Sequence, residues 1–276
     1  MGSLEGKVAF VTGAARGQGR SHAVRMAQEG ADIVAFDLCA PVAGVTYPPS
    51  TPEDLAETAR LVEATGRRIL ARVGDVRDFA SVESVVNDGI EAFGRLDVVI
   101  ANAGVATSDS LLTCTPAVWR EVVDIDLTGA FHTLAAGVRP MVAQGDGGAV
   151  VLISSMLGLR STGGVPAYTA AKHGLVGLMR SAAHDLAPHR IRVNSVHPGN
   201  VRTPMVENEA MFRLFRPDLP EPTLQDAAPG LASLNLLPDP WLEVSDVTGA
   251  VMWLVTETGR AVTGVALPVD LGATIK

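Results

Sequence analysis

Dense apolar runs recur along the chain at residues 8–12, 32–37, 69–73, 97–101, 149–154, 191–197 and 266–269, each short enough for a strand. Helix-length segments separate them, and seven strands alternating with helices predict a doubly wound, seven-stranded parallel sheet of the α/β class. The punctuation agrees. Thr51-Pro52-Glu53-Asp54 sets a capping hydroxyl, a proline and two acids where a helix begins, and Thr115-Pro116 repeats the first two. Gly66 supplies a stop signal.

Two segments depart from the alternation. Residues 38–50 carry Pro41, Pro48 and Pro49 and predict an irregular insertion loop after the second strand. Residues 203–241 form a long, proline-interrupted stretch with an apolar patch, AMFRLF, at 210–215. Long insertions in compact domains are usually functional or disordered, so this one reads as a lid over a substrate pocket, with a plain surface excursion as the alternative.

A length of 276 suits one α/β unit, so residues 1–276 read as a single domain. With 47% hydrophobic but 4% aromatic residues, the core must be built from Val, Leu, Ile and Ala, which suits strands covered on both faces. The net charge of −8 offers no basic field for nucleic acid. The opening MGSLEG lacks the basic-then-apolar layout of a secretion signal, and no run of about 18 uncharged apolar residues is present to span a bilayer. Cys39 and Cys114 make neither a disulfide framework nor a metal-ligand pattern, which fits the cytoplasm.

Candidate chemistry begins in the loop after the first strand, where residues 12–19 read TGAARGQG. Gly13, Gly17 and Gly19 let the backbone turn tightly and approach a pyrophosphate, whose charge is received by N–H groups at the start of the next helix. The spacing G-x-x-x-G-x-G differs from the G-x-G-x-x-G of other dinucleotide folds, and no Lys-Ser/Thr follows to make a P-loop. Asp37 closes the second strand, where a carboxylate can accept from both ribose hydroxyls and repel a 2′-phosphate. NAD is thereby favoured over NADP. Arg16 points the other way, because a base before the middle glycine can pair with that phosphate; Asp37 decides, since Leu38 adds no second base.

Tyr168 and Lys172 stand four apart in a segment expected to be helical over 165–187, so they share a face. A free tyrosine titrates near 10, and a neighbouring ammonium favours phenolate, lowering that value into the range of a usable acid and base. Ser155, at the end of the fifth strand, can hold a substrate oxygen beside the phenol.

These residues together resemble the short-chain dehydrogenase/reductase family over almost the whole chain: the glycine loop, Asp37, Asp75-Val76, Asn102-Ala103-Gly104, Ser155, Tyr168, Lys172, and Pro198-Gly199 leading to Thr203. The resemblance implies a Rossmann-type fold, hydride transfer between NAD and an alcohol or ketone, and a homotetramer. It implies that Tyr168 exchanges a proton with the substrate oxygen, that Lys172 tunes it and holds the nicotinamide ribose, and that Ser155 orients the substrate. The cofactor contacts it implies are Gly13, Arg16, Gly17, Gln18, Gly19, Asp37 and Leu38. Asp75 and Val76 would frame the adenine, with Asn102, Ala103 and Gly104 in support. Pro198 and Gly199 lead to Val201 and Thr203, which would hold the carboxamide.

One family position departs. Asp126 stands where the family normally has Asn, the fourth catalytic member, which holds a water in a relay from the lysine. An ionised aspartate accepts but cannot donate, so the relay is rewired or its proton affinity raised. GQGRSH at 17–22, DLCAP at 37–41 and the proline-rich insertion resemble a mycofactocin-associated, carveol-dehydrogenase-like branch. There the insertion covers bound NAD, which an external redox partner recycles in place; the alternative for 38–50 is a mobile surface loop.

The apolar residues around 205–237 suggest a hydrophobic, terpenoid-like alcohol. His184 and His189 are expected to be exposed, Trp119 to be packing, and Arg60, Arg67 and Arg68 to form a solvated face. An ordinary NAD(P)-exchanging ketone reductase and a non-catalytic NAD-binding protein stay open as alternatives.

Overall fold

In the computed structural model, which describes residues 2–276 and leaves Met1 of the opening segment outside, the seven expected runs all become strands. They are β1 (Val8–Thr12), β2 (Asp32–Asp37), β3 (Ile69–Val73), β4 (Val98–Ala101), β5 (Gly148–Ile153), β6 (Ile191–Pro198) and β7 (Ala266–Val269). They pair in parallel in the order β3-β2-β1-β4-β5-β6-β7.

Successive residues of a strand face opposite sides of the sheet, and here both sides are apolar. Ala9 and Val11 of β1, with Val98 and Ile100 of β4, enter one core under α1 (Gly17–Gln28), α2 (Pro52–Glu63) and α9 (Val244–Val255). Val8, Phe10, Val99 and Ala101 enter the other core under α3 (Phe79–Phe93), α5 (Gly129–Gln144) and α6 (Pro166–Leu186). Thr51 and Asp54 form a reciprocal capping box on α2, and Thr115 Oγ1 accepts from Val118 N at 3.3 Å to cap α4 (Pro116–Val123). Gly66, at φ +82°, ends the turn after α2.

The strand order reverses between β1 and β4, and in doubly wound sheets a crevice opens outside the carboxyl ends at such a point. Residues 38–50 form an irregular segment beside that crevice, whereas 203–241 contains two helices, α7 (Glu209–Phe215) and α8 (Leu224–Ala232). Phe215 packs onto α8 at Gly230, where an added Cβ would meet its ring at 2.5 Å.

Two surface expectations need correction. Arg67 and Arg68 are not merely solvated: both pair with the buried carboxylate of Asp32, at 2.9 and 2.5 Å, because a buried charge requires compensation. Trp119 is not core packing, since α4 buries only Val122, and the indole lies 42% exposed. His184 and His189 are exposed, and Arg60 pairs with Glu57 on the surface.

His22 ties α1 to α9 through Nδ1, 2.8 Å from Thr248 Oγ1, and burial lowers its pKa to about 3. Its folded value lies below the unfolded one, so the neutral ring's contribution is complete above about pH 6.5 and is lost as the pH falls towards 3. Urea unfolding between pH 6.5 and 4 should show stability declining by up to about 1.4 kcal/mol per pH unit from this residue, and His22→Asn should flatten the slope.

Candidate active site

The crevice is built from the two strands that part at it. After β1, Gly13 at φ +65° and Gly17 at φ +56° turn the chain into α1, and Gly19 sits so close that a Cβ would fall 2.0 Å from the Gly13 carbonyl oxygen. Asn102, just past β4, donates from Nδ2 to the carbonyls of Thr12 at 2.9 Å and Gly13 at 3.2 Å, fastening the loop across the gap. Arg16 at the N-cap of α1 supplies no capping side chain, so the first-turn N–H groups remain available to an anion. The glycines, Gln18, Asp37, Leu38, Asp75, Val76, Asn102, Ala103, Gly104 and Thr203 all line one cleft of about 1170 Å³ of empty space, solvent mouth included.

Asp37 is buried, and four donors already reach it: Ala15 N at 2.9 Å on Oδ2, and Cys39 N at 3.0 Å, Cys39 Sγ at 3.8 Å and Ser50 Oγ at 2.6 Å on Oδ1. Oδ2 takes only one of these bonds, which leaves it a lone pair for a ribose hydroxyl. Arg16 lines the same cleft, but its guanidinium donates to the Pro48 carbonyl of the insertion. Asp75 is gripped by the Arg77 fork; burial would raise its carboxyl, and the guanidinium and the Arg77 N–H bring it below the ordinary value. Pro198, Gly199 and Val201 lie off this cleft, Val201 being buried in a bridge to Leu242.

Sequence reasoning missed Tyr47. Its hydroxyl accepts from Ala106 N at 3.2 Å, and Gly44 lies against Val118 and Thr107. The insertion therefore runs from Asp37 and Arg16 on one wall to Ala106 and α4 on the other, as a strap over the crevice. A tyrosine among prolines was the available signal, but its partner lies 59 residues away.

The second half of the site lies beyond Gly104. Lys172 is buried on α6, its ammonium 5.3 Å from the centre of the half-buried Tyr168 ring, and it donates to Ile153 O at 3.2 Å. Asp126, fully buried in a π-helical turn (Asp124–Thr128), approaches that ammonium to 3.1 Å and accepts from Val105 N at 2.8 Å. Such turns are frequent at functional sites. Ser154 Oγ donates to Lys172 O, fixing the end of β5 to α6, and the neighbouring Ser155 hydroxyl acts on the Tyr168 phenol to favour its ionised form. His197 Nδ1 lies 2.8 Å from Ser155 O; burial lowers this ring to about 4, so it is neutral near pH 7.

Asp126 from the π-helical turn, Ser155 from the end of β5, and Tyr168 and Lys172 from α6 do not line the nucleotide cleft itself. Gly104 joins the two halves, because a Cβ there would lie 3.1 Å from both Lys172 Nζ and Asp126 Oδ2. Residues 7–213 match the family model described as short chain dehydrogenase. The chain belongs to the short-chain dehydrogenase family. It is 47% identical to (-)-trans-carveol dehydrogenase of Rhodococcus erythropolis, with 100% of each chain covered. The crystal structure of carveol dehydrogenase from Mycobacterium avium in complex with NAD is 52% identical, with a TM-score of 0.99 and 100% coverage of both chains. Levodione reductase is 31% identical, with a TM-score of 0.85 and 98% coverage of each chain.

One electrostatic expectation is reversed in this short-chain dehydrogenase. Burial holds the Tyr168 phenol above its ordinary value; Lys172 pulls it down, but Asp126 pushes it up again. Lys172, which burial would lower, is raised by the same carboxylate.

The cleft also makes a testable statement about Asp37. Asp37→Ala removes the carboxylate beside Ala15 N and admits a 2′-phosphate, so the ratio of NAD to NADP affinity measured by calorimetry should fall at least about tenfold, the scale of one charge-assisted hydrogen bond. An unchanged ratio would mean that the strap or Arg16 sets cofactor choice.

Proposed function

We propose that this chain is an NAD-dependent dehydrogenase that moves a hydride between nicotinamide and a hydrophobic, terpenoid-like secondary alcohol or its ketone. The observation that carries the reading is the Tyr168–Lys172 pair with Ser155 nearby, joined through Gly104 to a glycine-built nucleotide cleft. The cleft fits the cofactor: its glycines admit a close backbone approach, and Asp37 retains an acceptor for ribose. NAD supplies or takes up the hydride.

The chain's own residues do the rest. Ser155 donates to the substrate oxygen and orients it. Tyr168 passes a proton to that oxygen during reduction and takes one during oxidation. Lys172 holds the nicotinamide ribose and favours the phenolate. Asp75 and Val76 flank the adenine, and Thr203, whose hydroxyl donates to Val201 O at 3.3 Å, secures the carboxamide from the cleft wall. The relatives that act on carveol and levodione support a cyclic, apolar substrate. The apolar α7, with no buried residue of its own, suits a lid that closes over such a molecule.

The strap supports a finer reading, in which NAD stays bound between turnovers and is reoxidised in place by an external redox partner such as mycofactocin. Tyr47, Arg16 and Ser50 fasten the strap at separate points, so release of the cofactor requires several polar contacts to open together. Phe131 on α5 and Trp253 on α9, 50% and 41% exposed, support burial of these helix faces in a homotetramer. Both cysteines are free, which suits the cytoplasm.

Two measurements test the reading. With a panel of cyclic secondary alcohols and an electron acceptor, Tyr168→Phe should lose at least about a hundredfold in kcat, the scale of positioned acid–base catalysis, and wild-type turnover in that variant would refute the assignment. Native mass spectrometry after desalting should find NAD retained, and Tyr47→Phe should release it about three- to tenfold faster, the worth of one hydrogen bond. An empty wild-type site would favour ordinary cofactor exchange.

A further inference from the structure

The Lys172 ammonium stands between two groups of opposite demand. On one side is the Tyr168 ring, 5.3 Å from Nζ to its centre; on the other is Asp126 Oδ2 at 3.1 Å, and neither the lysine nor the aspartate is more than 3% exposed. Each partner is also held by backbone, Lys172 by Ile153 O and Asp126 by Val105 N, so the pair cannot swing apart without breaking those bonds. Gly104 lies flush against both charged atoms, with no room for a side chain between them and the cleft.

A lone buried ammonium would act on the phenol as a full positive charge. Paired this closely with a carboxylate, it acts as a short dipole, whose influence falls faster with distance. Ionising Tyr168 would then leave a net negative charge in a buried site instead of a neutral one. Resting on the redox reading above, we propose that Asp126 is a positioning residue that pins Lys172 in a buried ion pair and offsets its pull on Tyr168. The phenol is thereby kept as a proton donor at neutral pH and becomes a base only in alkaline solution.

The other titratable groups around the pair do not replace this effect. His197 of β6 is neutral near pH 7, and Tyr47 of the strap is raised by burial, so it is uncharged there too. His173 lies exposed on α6 with Nδ1 2.9 Å from Thr169 O. The direction of the Tyr168 shift agrees, since burial and Asp126 both raise the phenol against Lys172.

The chain contains two tyrosines, so phenolate absorbance near 295 nm can be assigned by comparison with Tyr168→Phe. In the protein as purified, the Tyr168 transition is expected at or above the ordinary value of about 10. Asp126→Asn keeps an acceptor for Val105 N while removing the charge. It should move both that transition and the acid limb of kcat for alcohol oxidation down by about one pH unit or more, and Asp126→Glu should restore them. A wild-type transition near neutrality, or an Asp126→Asn transition and limb that stay in place, would overturn the proposal. The phenolate titration needs no substrate, so it stands apart from failure of the redox reading, which Tyr168→Phe turnover reports.

Discussion

Strands β1 and β4 lie side by side, yet the sheet grows outward from them in opposite directions, and the crevice at their carboxyl ends is where every part of the site converges. The loop after β1 brings the glycines, and the loop after β4 brings Asn102 and Gly104. The Asn102 amide spans the gap by donating to Thr12 and Gly13, so the glycine loop is shaped by the neighbouring strand as much as by its own residues. A Cβ at Gly13 would strike that amide at 2.8 Å. The small residues at the crevice are thus needed for closure of the fold as well as for room.

The chemistry sits one layer further in, and there the deciding quantity is charge in a place without water. Spacing alone puts an ammonium near a phenol and implies a lowered phenol. Burial and a third group alter that result, because Asp126 arrives from a π-helical turn that bulges towards Lys172. A buried pair of this kind says little about stability, since desolvation offsets much of the attraction. Its consequence is local: it determines which protonation state of Tyr168 the site tolerates.

The insertion over the crevice is held differently from the core. Val42 packs partly against the second core, but the fastenings at Tyr47, Pro48 and Ser50 are polar contacts reaching separate parts of the fold. Individual hydrogen bonds of this sort are worth about 1 kcal/mol each, so the strap can open without unfolding the sheet. That makes it suited to retain a ligand while still admitting one.

Strand positions, helix caps at Thr51 and Thr115, the glycine loop and the Tyr168–Lys172 spacing were all legible in the sequence, because each rests on contacts within a few residues or on a repeating apolar pattern. Trp119, Arg67 and Arg68 were misread, since their surroundings depend on which distant residues become buried. Tyr47 was missed for the same reason. What residue order determined by itself was the α/β class, the candidate side chains and the family they resemble. The sign of the Tyr168 shift, the engagement of Arg16 and the closing of the strap were decided only in three dimensions. Electrostatics and hydrogen bonding depend on distance and burial, and Asp126, Lys172 and Ala106 acquire their neighbours only when the chain folds.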